Sequence, residues 1–328
     1  METYRSAGVD VSKGERFVDR LKAVARRAGH DRLWRAAGGY AAVYPINDRD
    51  GIALTTDGVG TKLLIAGHLK RYNTLGIDLV AMCANDLVCV GATPTVFLDY
   101  FAIGTLDDDI ADGLIAGIVE GCDQAGMILA GGETAEMPGL YQQGHFDLAG
   151  FAVGNVTRDR LITGDKVRAG QTVIGMASSG IHSNGLSLAR KVLPDDQNTM
   201  EQLLTPTIIY SSAVSAALAV PGSNITGIAH ITGGGWRNLF RLNSAVGFAI
   251  ADPLPVPGIF KKISGHVQAE EMYKTFNMGM GMCVIVDGDR EPVLQALSAS
   301  GLVARPVGTV TDEPMTLTIA GSPVTLRG

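Results

Sequence analysis

The sequence predicts an α/β protein, of the α+β type, that folds as two domains. Its 328 residues exceed the size, about 250 to 300 residues, at which a single hydrophobic core stops growing. Predicted strands alternate with predicted helices along both halves of the chain. Near residues 158–171 this alternation gives way to polar, turn-forming residues. We therefore expect one domain over residues 1–157 and a second α/β domain over residues 168–328.

The first half predicts a sheet with helices on one face. Runs of apolar and β-branched residues predict strands at 51–57, 94–104, 127–132 and 146–156. Apolar residues at helical spacing predict helices at 74–90 and 107–124, with Thr74 as a candidate N-cap and three aspartates opening the second helix. Two helices cover only one face of such a sheet, so the other face requires a partner.

The second half shows the same mixed alternation. It predicts strands at 172–178, 245–251, 281–287 and 302–310, and helices at 184–193, 206–220 and 289–300.

Composition narrows the class of function. A net charge of −6 with no long run of Lys or Arg gives no electrostatic footprint for nucleic acid or an anionic membrane, so we expect a small-molecule substrate. The charged N-terminus lacks a hydrophobic signal core, which favours a cytoplasmic location. Four cysteines without CxxC spacing favour reduced core residues. Glycine is frequent, at 42 residues, and we expect some of these to shape the backbone around a ligand.

The string DGVGTK, from Asp57 to Lys62, combines a carboxylate at a strand end, two glycines and a lysine. Phosphate and magnesium chemistry uses these parts, because glycines allow close backbone approach and carboxylates bind hard cations. The spacing is neither that of a Walker A loop nor that of a dinucleotide fingerprint. Taken alone, a hairpin turn explains the string equally well.

Three further acids add to this hypothesis in different degrees. Asp86 lies in the middle of an apolar helix, where a buried carboxylate is costly unless paired or metal-bound, and this favours function. Asp78 lies in the first turn of that helix, where an acid facing solvent or the helix dipole is the favoured interpretation. Glu133 follows a glycine pair at a predicted strand end, with a solvated turn as the alternative. Asp57, Asp86 and Glu133 together predict a Mg²⁺ site that bridges ATP phosphates.

Two strings in the second half predict a phosphate-binding surface. SSGIHSNG, residues 178–185, lies between a strand and a helix start, where backbone N–H groups hold phosphate; a capping turn is an equal alternative. HITGGG, residues 230–235, contains three consecutive glycines, whose entropic cost suggests close approach of a ligand. His182 and His230 taken singly are more typical of structural histidines than of catalysts, and we expect a binding role.

The strings in combination resemble the aminoimidazole ribonucleotide synthetase family nearly from end to end. The matching strings are AGVD at Ala7, DGVGTK at Asp57, GIDLVAMCANDL at Gly76, GGETAEMPG at Gly131, DLAGFAVG at Asp147, SSGIHSNG at Ser178, HITGGG at His230 and MYKTFNMGMGM at Met272. Their specificity separates this family from its superfamily relatives thiamine-phosphate kinase, selenophosphate synthetase and the hydrogenase-maturation dehydratase. The chain also resembles the core of formylglycinamidine ribonucleotide synthetase.

The resemblance implies a homodimer whose first-domain sheets pair into a barrel-like interface, with ATP and Mg²⁺ bound nearby. It implies ATP and magnesium contacts from Lys22, Asp57, Gly58, Gly60, Thr61, Lys62, Asp86, Gly132 and Glu133, with Asp57, Asp86 and Glu133 as the metal ligands. It implies substrate contacts from Ser179, His182, Ser183, Asn184, Gly233, Gly234 and Gly235, and catalytic roles for Asp57, Lys62, Asp86 and His182.

Two segments depart from the family pattern. The GGFGG-like segment of the family is GGYAA here, at Gly38–Ala42, and the Glu-Asn-x-Pro-Arg that follows the triple glycine is shortened to WRNLFR. The first change is expected to stiffen a loop that covers ATP.

In the implied reaction, ATP phosphorylates the formyl amide oxygen of formylglycinamidine ribonucleotide. The amidine-side nitrogen then attacks the activated carbon, and phosphate leaves as the ring closes. Another ATP-dependent kinase or synthetase of the same fold is the first alternative, and a non-catalytic nucleotide-binding protein is the second. Selenophosphate synthetase is disfavoured because the first cysteine is Cys83, well after the N-terminal glycine-rich segment.

Overall fold

The computed structural model describes residues 1–25, 29–35 and 39–328, which form two β-sheets with helices packed against them. This confirms the predicted mixed α/β class. The elements of the first half are α1 Val11–Ala25, β1 Ala42–Pro45, β2 Asp50–Gly58, α2 Lys62–Leu69, α3 Leu75–Cys89, β3 Thr93–Ile103, α4 Asp108–Ala125, β4 Ile128–Glu136 and β5 Phe146–Thr157, with short 3₁₀ helices at Arg5–Ala7 and His30–Arg32.

The second half begins with β6 and ends near the C-terminus. Its elements are β6 Thr172–Ala177, α5 Leu186–Val192, α6 Gln197–Leu204, α7 Ser211–Leu218, β7 Ile225–His230, a 3₁₀ helix Gly235–Arg241, β8 Gly247–Ile250, α8 Gly258–Ser264, α9 Ala269–Thr275, β9 Met280–Val286, α10 Glu291–Ser298, β10 Ala304–Thr311, β11 Thr316–Ile319 and β12 Thr325–Arg327.

The first sheet has the strand order β1-β2-β5-β3-β4, and only the β3–β4 pair is parallel. Helix α3 packs on β2 and β5, and α4 packs on α3 and β4, so both helices lie on one face, as predicted. The opposite face exposes large apolar side chains. Leu54, Leu98 and Phe151 are 44%, 37% and 46% exposed, and Phe151 pairs directly with Leu98.

The second sheet has the order β12-β11-β8-β10-β6-β9-β7. All seven residues of its strand β9 are buried, between β6 and β7, which are both antiparallel to it. This strand therefore forms the centre of the second core. The last strand of the first sheet ends at Thr157, and the first strand of the second sheet begins at Thr172.

The predicted elements of each half are found, with shifts that have physical causes. Thr74 precedes α3 but its side chain makes no cap hydrogen bond, whereas Asp107 caps α4 by accepting from Asp109 N at 3.1 Å and Ile110 N at 3.2 Å. The helix predicted from residue 206 begins only at Ser211, because residues 205–210 run extended along α3. Elements absent from our sequence predictions are β1, α2, α6, β7, α8, α9, β11 and β12.

The four cysteines are free and buried, as the sequence predicted. Within the described ranges, every helix is too short or too polar to cross a lipid bilayer.

Helices α3 and α4 approach so closely that glycine is required where they meet. A Cβ atom at Gly76 would lie 2.1 Å from the backbone N of Ile118 and 2.3 Å from the backbone C of Gly117. Real side chains do not tolerate such distances, so any larger residue must push the helices apart. The packing of α3 on α4 therefore depends on this glycine.

We expect Gly76→Ala to lower the free energy of unfolding by about 1 to 3 kcal/mol, because overpacking shifts backbone rather than a flexible side chain. Urea denaturation followed by circular dichroism measures this change. The matched control is Gly67→Ala in α2, where an added Cβ meets nothing within 4 Å. That variant should gain about 0.5 to 1 kcal/mol. Equal stability of Gly76→Ala and the parent protein would contradict the packing argument.

Candidate active site

One face of α3 carries a polar stripe, which we define as Asp78, Asn85 and Asp86. These residues are spaced by seven and eight positions, so they share a face of the helix. Each of them bonds to the second half of the chain. Asn85, for example, accepts from the N–H of Tyr210 at 2.8 Å and donates to the carbonyl of Ile208 at 2.9 Å. The stripe thus forms the polar contact between the two halves.

Asp57 and Asp86, which we call the carboxylate pair, lie close enough to interact electrostatically. Burial at the end of β2 raises the pKa of Asp57 from 3.8 to about 6, and the negative charge of Asp86 adds to the increase. The N–H of Gly58 donates to Asp57 Oδ1 at 2.8 Å and opposes the shift. Two half-buried carboxylates that repel each other form a site suited to a divalent cation.

Asp86 is held in place by a histidine from the second half. The Nδ1–H of His230, which is fully buried, donates to Asp86 Oδ1 at 2.9 Å, while the Asp86 side chain remains 16% exposed. A metal-binding carboxylate is commonly oriented by such a hydrogen bond. His230 ends β7 and precedes the triple glycine, so this bond connects the carboxylate pair to that loop.

Glu133 does not join the carboxylate pair within one chain, and our prediction of three converging carboxylates is corrected on this point. Strand β4 continues to Glu136, so Glu133 lies inside an edge strand and is exposed there. The sheet register places it three strands from Gly58, or about 14 Å at the usual strand spacing. Among the described residues, there is no group of three His, Cys, Asp or Glu that could hold a metal ion.

Gly132 also lies on the edge strand β4, and its role there is steric. A Cβ atom at this position would lie 2.2 Å from Asp99 Oδ1 on the neighbouring strand. Close approach of β3 is therefore sufficient to require glycine at position 132, and a contact of Gly132 with the nucleotide stays a prediction.

Lys62 cannot reach a bound phosphate in this conformation, contrary to our expectation. It is fully buried, its Nζ lies 2.7 Å from Asp78 Oδ2, and it donates to the carbonyl of Thr205 at 2.6 Å. Burial lowers the pKa of Lys62, and the charge of Asp78 opposes this shift. The interpretation of Asp78 as a surface acid is also wrong, because the residue is completely buried.

Asp78 instead connects α3 to the second half. Its Oδ1 accepts from the N–H of Thr207 at 2.7 Å, from the Thr207 hydroxyl at 2.6 Å and from the Ser183 hydroxyl at 3.1 Å. Of the other DGVGTK residues, Gly60 adopts a positive φ of 57°, and Thr61 Oγ1 lies 3.0 Å from Ser187 Oγ. The end of β2 is therefore tied to the start of α5.

The two predicted substrate loops meet in the structure. Asn184 Oδ1 lies only 3.0 Å from where a Cβ of Gly233 would be, so the SSGIHSNG loop packs on the triple glycine. The buried Nδ2 of Asn184 has no hydrogen-bond partner. A buried donor without a partner is unusual in a folded protein and is typical of a position that a ligand completes.

His182 belongs to the SSGIHSNG loop, and its side chain is buried rather than open to a cleft. Its φ of 61° is unusual for a residue with a side chain, its Nε2 accepts from the Ser179 N–H at 3.2 Å, and its buried Nδ1 has no partner. Burial lowers the pKa of His182 well below 6.5, so the ring is neutral at pH 7. Its burial favours a role in holding the loop, and the catalytic role that the resemblance implies for His182 stays a prediction.

The triple glycine has a structural cause at its last position. Gly234 and Gly235 have φ values of 96° and 56°, and a Cβ at Gly235 would lie 2.1 Å from the carbonyl oxygen of Tyr273.

Two other predicted site residues lie in other segments of the chain. Ser179 is near the surface and donates to the carbonyl of Pro206 at 2.6 Å. Lys22 lies within α1, and its side chain is outside the described part of the structure.

Arg241 is a further residue of the site that was not among those predicted from the sequence. The guanidinium group is exposed and its charge lowers the pKa of Asp57, against the larger effect of burial. Arg241 ends the WRNLFR segment, and the departure of this segment from the family pattern was a signal that pointed to it. The local sequence did not indicate which residues the segment faces.

We expect Asp57→Asn to stabilise the protein at pH 7 in the absence of divalent cations. The pKa of Asp57 is higher in the folded than in the unfolded state, so the folded state binds more protons between pH 4 and 6, and its free energy of unfolding falls as pH rises through this window. Above pH 6 the ionised carboxylate costs about 1 to 3 kcal/mol.

Chemical denaturation with EDTA at pH 4.5 and pH 7.5 tests this expectation, since the gain should be small at the lower pH and full at the higher one. Asp48→Asn, on an exposed bend before β2, serves as the control and should change little at either pH. A loss of stability in Asp57→Asn at pH 7.5 would show that Asp57 is stabilised by its surroundings.

Residues 38–156 match the family model described as "AIR synthase related protein, N-terminal domain", and residues 168–319 match "AIR synthase related protein, C-terminal domain". The chain is 44% identical to the phosphoribosylformylglycinamidine cyclo-ligase of Sorangium cellulosum (strain So ce56), over 94% of this chain and 95% of that protein. It is also 44% identical to the enzyme of the same name from Clostridium perfringens (strain 13 / Type A), over 94% and 97%.

Solved structures show the same fold at low sequence identity. T. maritima PurL complexed with ADP is 17% identical with a TM-score of 0.63, covering 90% of this chain and 46% of that one. AaThiL complexed with AMPPCP and TMP is 15% identical with a TM-score of 0.66, covering 94% and 95%. The high identity to curated relatives over nearly the whole chain leads to one conclusion: the chain belongs to the phosphoribosylformylglycinamidine cyclo-ligase family.

Proposed function

We propose that the chain uses ATP to close the ring of formylglycinamidine ribonucleotide, giving aminoimidazole ribonucleotide, ADP and phosphate, as a step of purine biosynthesis. The observation that carries this proposal is the hydrogen bond between Asp86 and His230. It places the carboxylate pair of the first half directly beside the loops of the second half. A nucleotide bound at the pair and a substrate bound at the loops would then be neighbours.

We propose that Asp57 and Asp86 hold a Mg²⁺ ion together with the ATP phosphates. Mg²⁺ is commonly bound by one or two carboxylates, with phosphate oxygens and water completing its shell. The carboxylate pair fits this requirement because burial and mutual repulsion raise the pKa of Asp57, and a bound cation relieves both effects. When bound, the ion would supply charge neutralisation for the transferred phosphoryl group.

The substrate is proposed to bind where the SSGIHSNG loop meets the triple glycine. Asn184 offers a buried, unpartnered Nδ2 donor there. His182 offers a neutral ring whose Nδ1 has no partner, and its Nε2 fixes the loop through the Ser179 N–H. Asn184 would orient the formyl amide while His182 holds the loop that carries it, so that the phosphoryl group moves from ATP to the amide oxygen before the amidine-side nitrogen attacks.

The chain residues beyond the carboxylate pair have supporting roles in this proposal. Lys62 and Asp78 hold the two halves in register rather than contacting ATP. Ser183 is held by Asp78 and so helps to place the loop. The domain limits that we propose, 1–157 and 168–328, put the carboxylate pair in the first domain and both loops in the second.

We propose that the protein is a homodimer that pairs the exposed apolar faces of its first sheets. Leu54, Leu98 and Phe151 lie on this face at 37–46% exposure, and their burial against a second copy would stabilise the assembly. A cytoplasmic location is also proposed, in agreement with four free thiols.

Purified protein mixed with formylglycinamidine ribonucleotide, Mg²⁺ and ATP tests the function. We expect aminoimidazole formation and ADP release in a one-to-one ratio. ADP release without aminoimidazole would point to another phosphoryl acceptor, the alternative of a related kinase or synthetase. Nucleotide binding without either product would favour the non-catalytic alternative.

We expect Phe151→Asp to convert the dimer to a monomer, because it places a charge in the centre of the apolar face. Analytical ultracentrifugation measures the change in mass. Ile115→Asp is the matched control, since Ile115 is 56% exposed on α4. This helix covers the other face of the sheet, so the control should remain dimeric. A parent protein that is monomeric at micromolar concentration, or a dimeric Phe151→Asp, would overturn the proposed interface.

A further inference from the structure

The two segments that depart from the family pattern contact each other in the structure. Tyr40 belongs to the GGYAA segment and Arg241 to the WRNLFR segment. The Arg241 guanidinium lies over the Tyr40 ring, 4.2 Å from its centroid, and the Tyr40 hydroxyl donates to the carbonyl of Asn238 at 3.1 Å. A cation over an aromatic face is a favourable contact that also fixes the plane of the guanidinium.

Two hydrogen bonds fix the position of Arg241 further. One terminal nitrogen donates to the carbonyl of Gly39 at 2.6 Å, and the other donates to Asn238 Oδ1 at 3.1 Å. Asn238 in turn donates to the carbonyl of Gly235 at 2.8 Å. Arg241 is therefore linked both to the segment after residue 38 and to the triple glycine.

Arg241 retains donors for a ligand although it is fixed in place. A guanidinium carries five N–H donors, and two of them are used in the hydrogen bonds just described. The residue is exposed to solvent, so the remaining donors are accessible. A planar, pre-oriented fork of this kind matches the oxygen spacing of a phosphate.

The charge balance around the carboxylate pair calls for such a cation. Lys62, the cation that the sequence places beside Asp57, is already neutralised by Asp78 in the interior. A divalent cation on the pair compensates only the two carboxylates, which leaves the charge of a triphosphate unbalanced. Arg241 bonds to Asn238, Asn238 bonds to the triple glycine, and the glycines follow the His230 that donates to Asp86, so this guanidinium is connected to the carboxylate pair.

We propose that Arg241 binds a phosphate of the nucleotide beside the carboxylate pair, in the role that the sequence suggested for Lys62. The inference rests on the proposed function, since it assumes a triphosphate at that pair. It assigns the GGYAA and WRNLFR segments one shared purpose, which is to orient this guanidinium. The 5′-phosphate of the ribonucleotide has the same chemistry and is the competing source.

The test compares Arg241→Gln with the parent protein by isothermal titration calorimetry, using AMPPCP with Mg²⁺ as the probe. Loss of charge-assisted hydrogen bonds should weaken AMPPCP binding about 10- to 100-fold. In steady-state assays the KM for ATP should rise by a similar factor, while the KM for formylglycinamidine ribonucleotide stays within about 2-fold. Arg241→Lys keeps the charge but loses the fork and should give an intermediate loss.

Arg71→Gln is the matched control, because Arg71 is also an exposed arginine and forms a surface ion pair with Glu201. It should bind AMPPCP like the parent. Arg241→Gln and Arg241→Lys both lose contacts with Tyr40 and Gly39, so thermal denaturation is measured first, and both variants should remain folded at the temperature of the binding assay. Parent-like affinity of Arg241→Gln for AMPPCP, or a rise confined to the KM of the ribonucleotide, would overturn the inference. A parent protein that neither binds AMPPCP nor forms aminoimidazole would overturn the proposed function as well.

Discussion

The polar stripe of α3 is the constraint on which the rest of the structure depends. A helix this deeply buried would normally be apolar, and each polar group on it costs several kcal/mol unless it is fully bonded. Asp78 pairs with Lys62 of the first half, and all three residues of the stripe also bond to the second half of the chain. The same contacts that satisfy the stripe also align the two halves, so stability and the geometry of the site have one origin.

The two aspartates of the polar stripe, Asp78 and Asp86, use their negative charge in different ways. Asp78 forms an ion pair with Lys62 in the interior. The pair is tolerated there because additional hydrogen bonds satisfy the carboxylate, and these bonds align the two halves of the chain. Among the described residues, Asp86 and Asp57 meet no cation that fully compensates them, and burial together with the charge of Asp86 raises the pKa of Asp57. The protein therefore keeps its uncompensated negative charge at a partly open position, which is where a cation and phosphates can reduce it.

The sequence predicted the structure correctly where a feature depends only on residues that are neighbours in the chain. Period-two and helical patterns predicted most of β2 to β5 with α3 and α4, and an acid in an apolar helix identified Asp86. The same reasoning failed for Lys62, because proximity to DGVG in sequence says nothing about the ion pair with Asp78 across two helices. It failed for Glu133 because an apparent strand end was the middle of an edge strand, a property of sheet order. Arg241 required knowledge of tertiary contacts.

The dependence of α3 on distant partners also constrains the order of synthesis and folding. Apart from Lys62, the residues that bond to its stripe lie between Ser183 and His230, well after β5 closes the first sheet at Thr157. A nascent chain that has emerged only as far as β5 can form the Lys62–Asp78 pair, but Asn85 and Asp86 still lack their partners from the second half. The first half should therefore remain dynamic on the ribosome until more than 70 further residues have emerged, given the separation of Thr157 and His230 in the sequence.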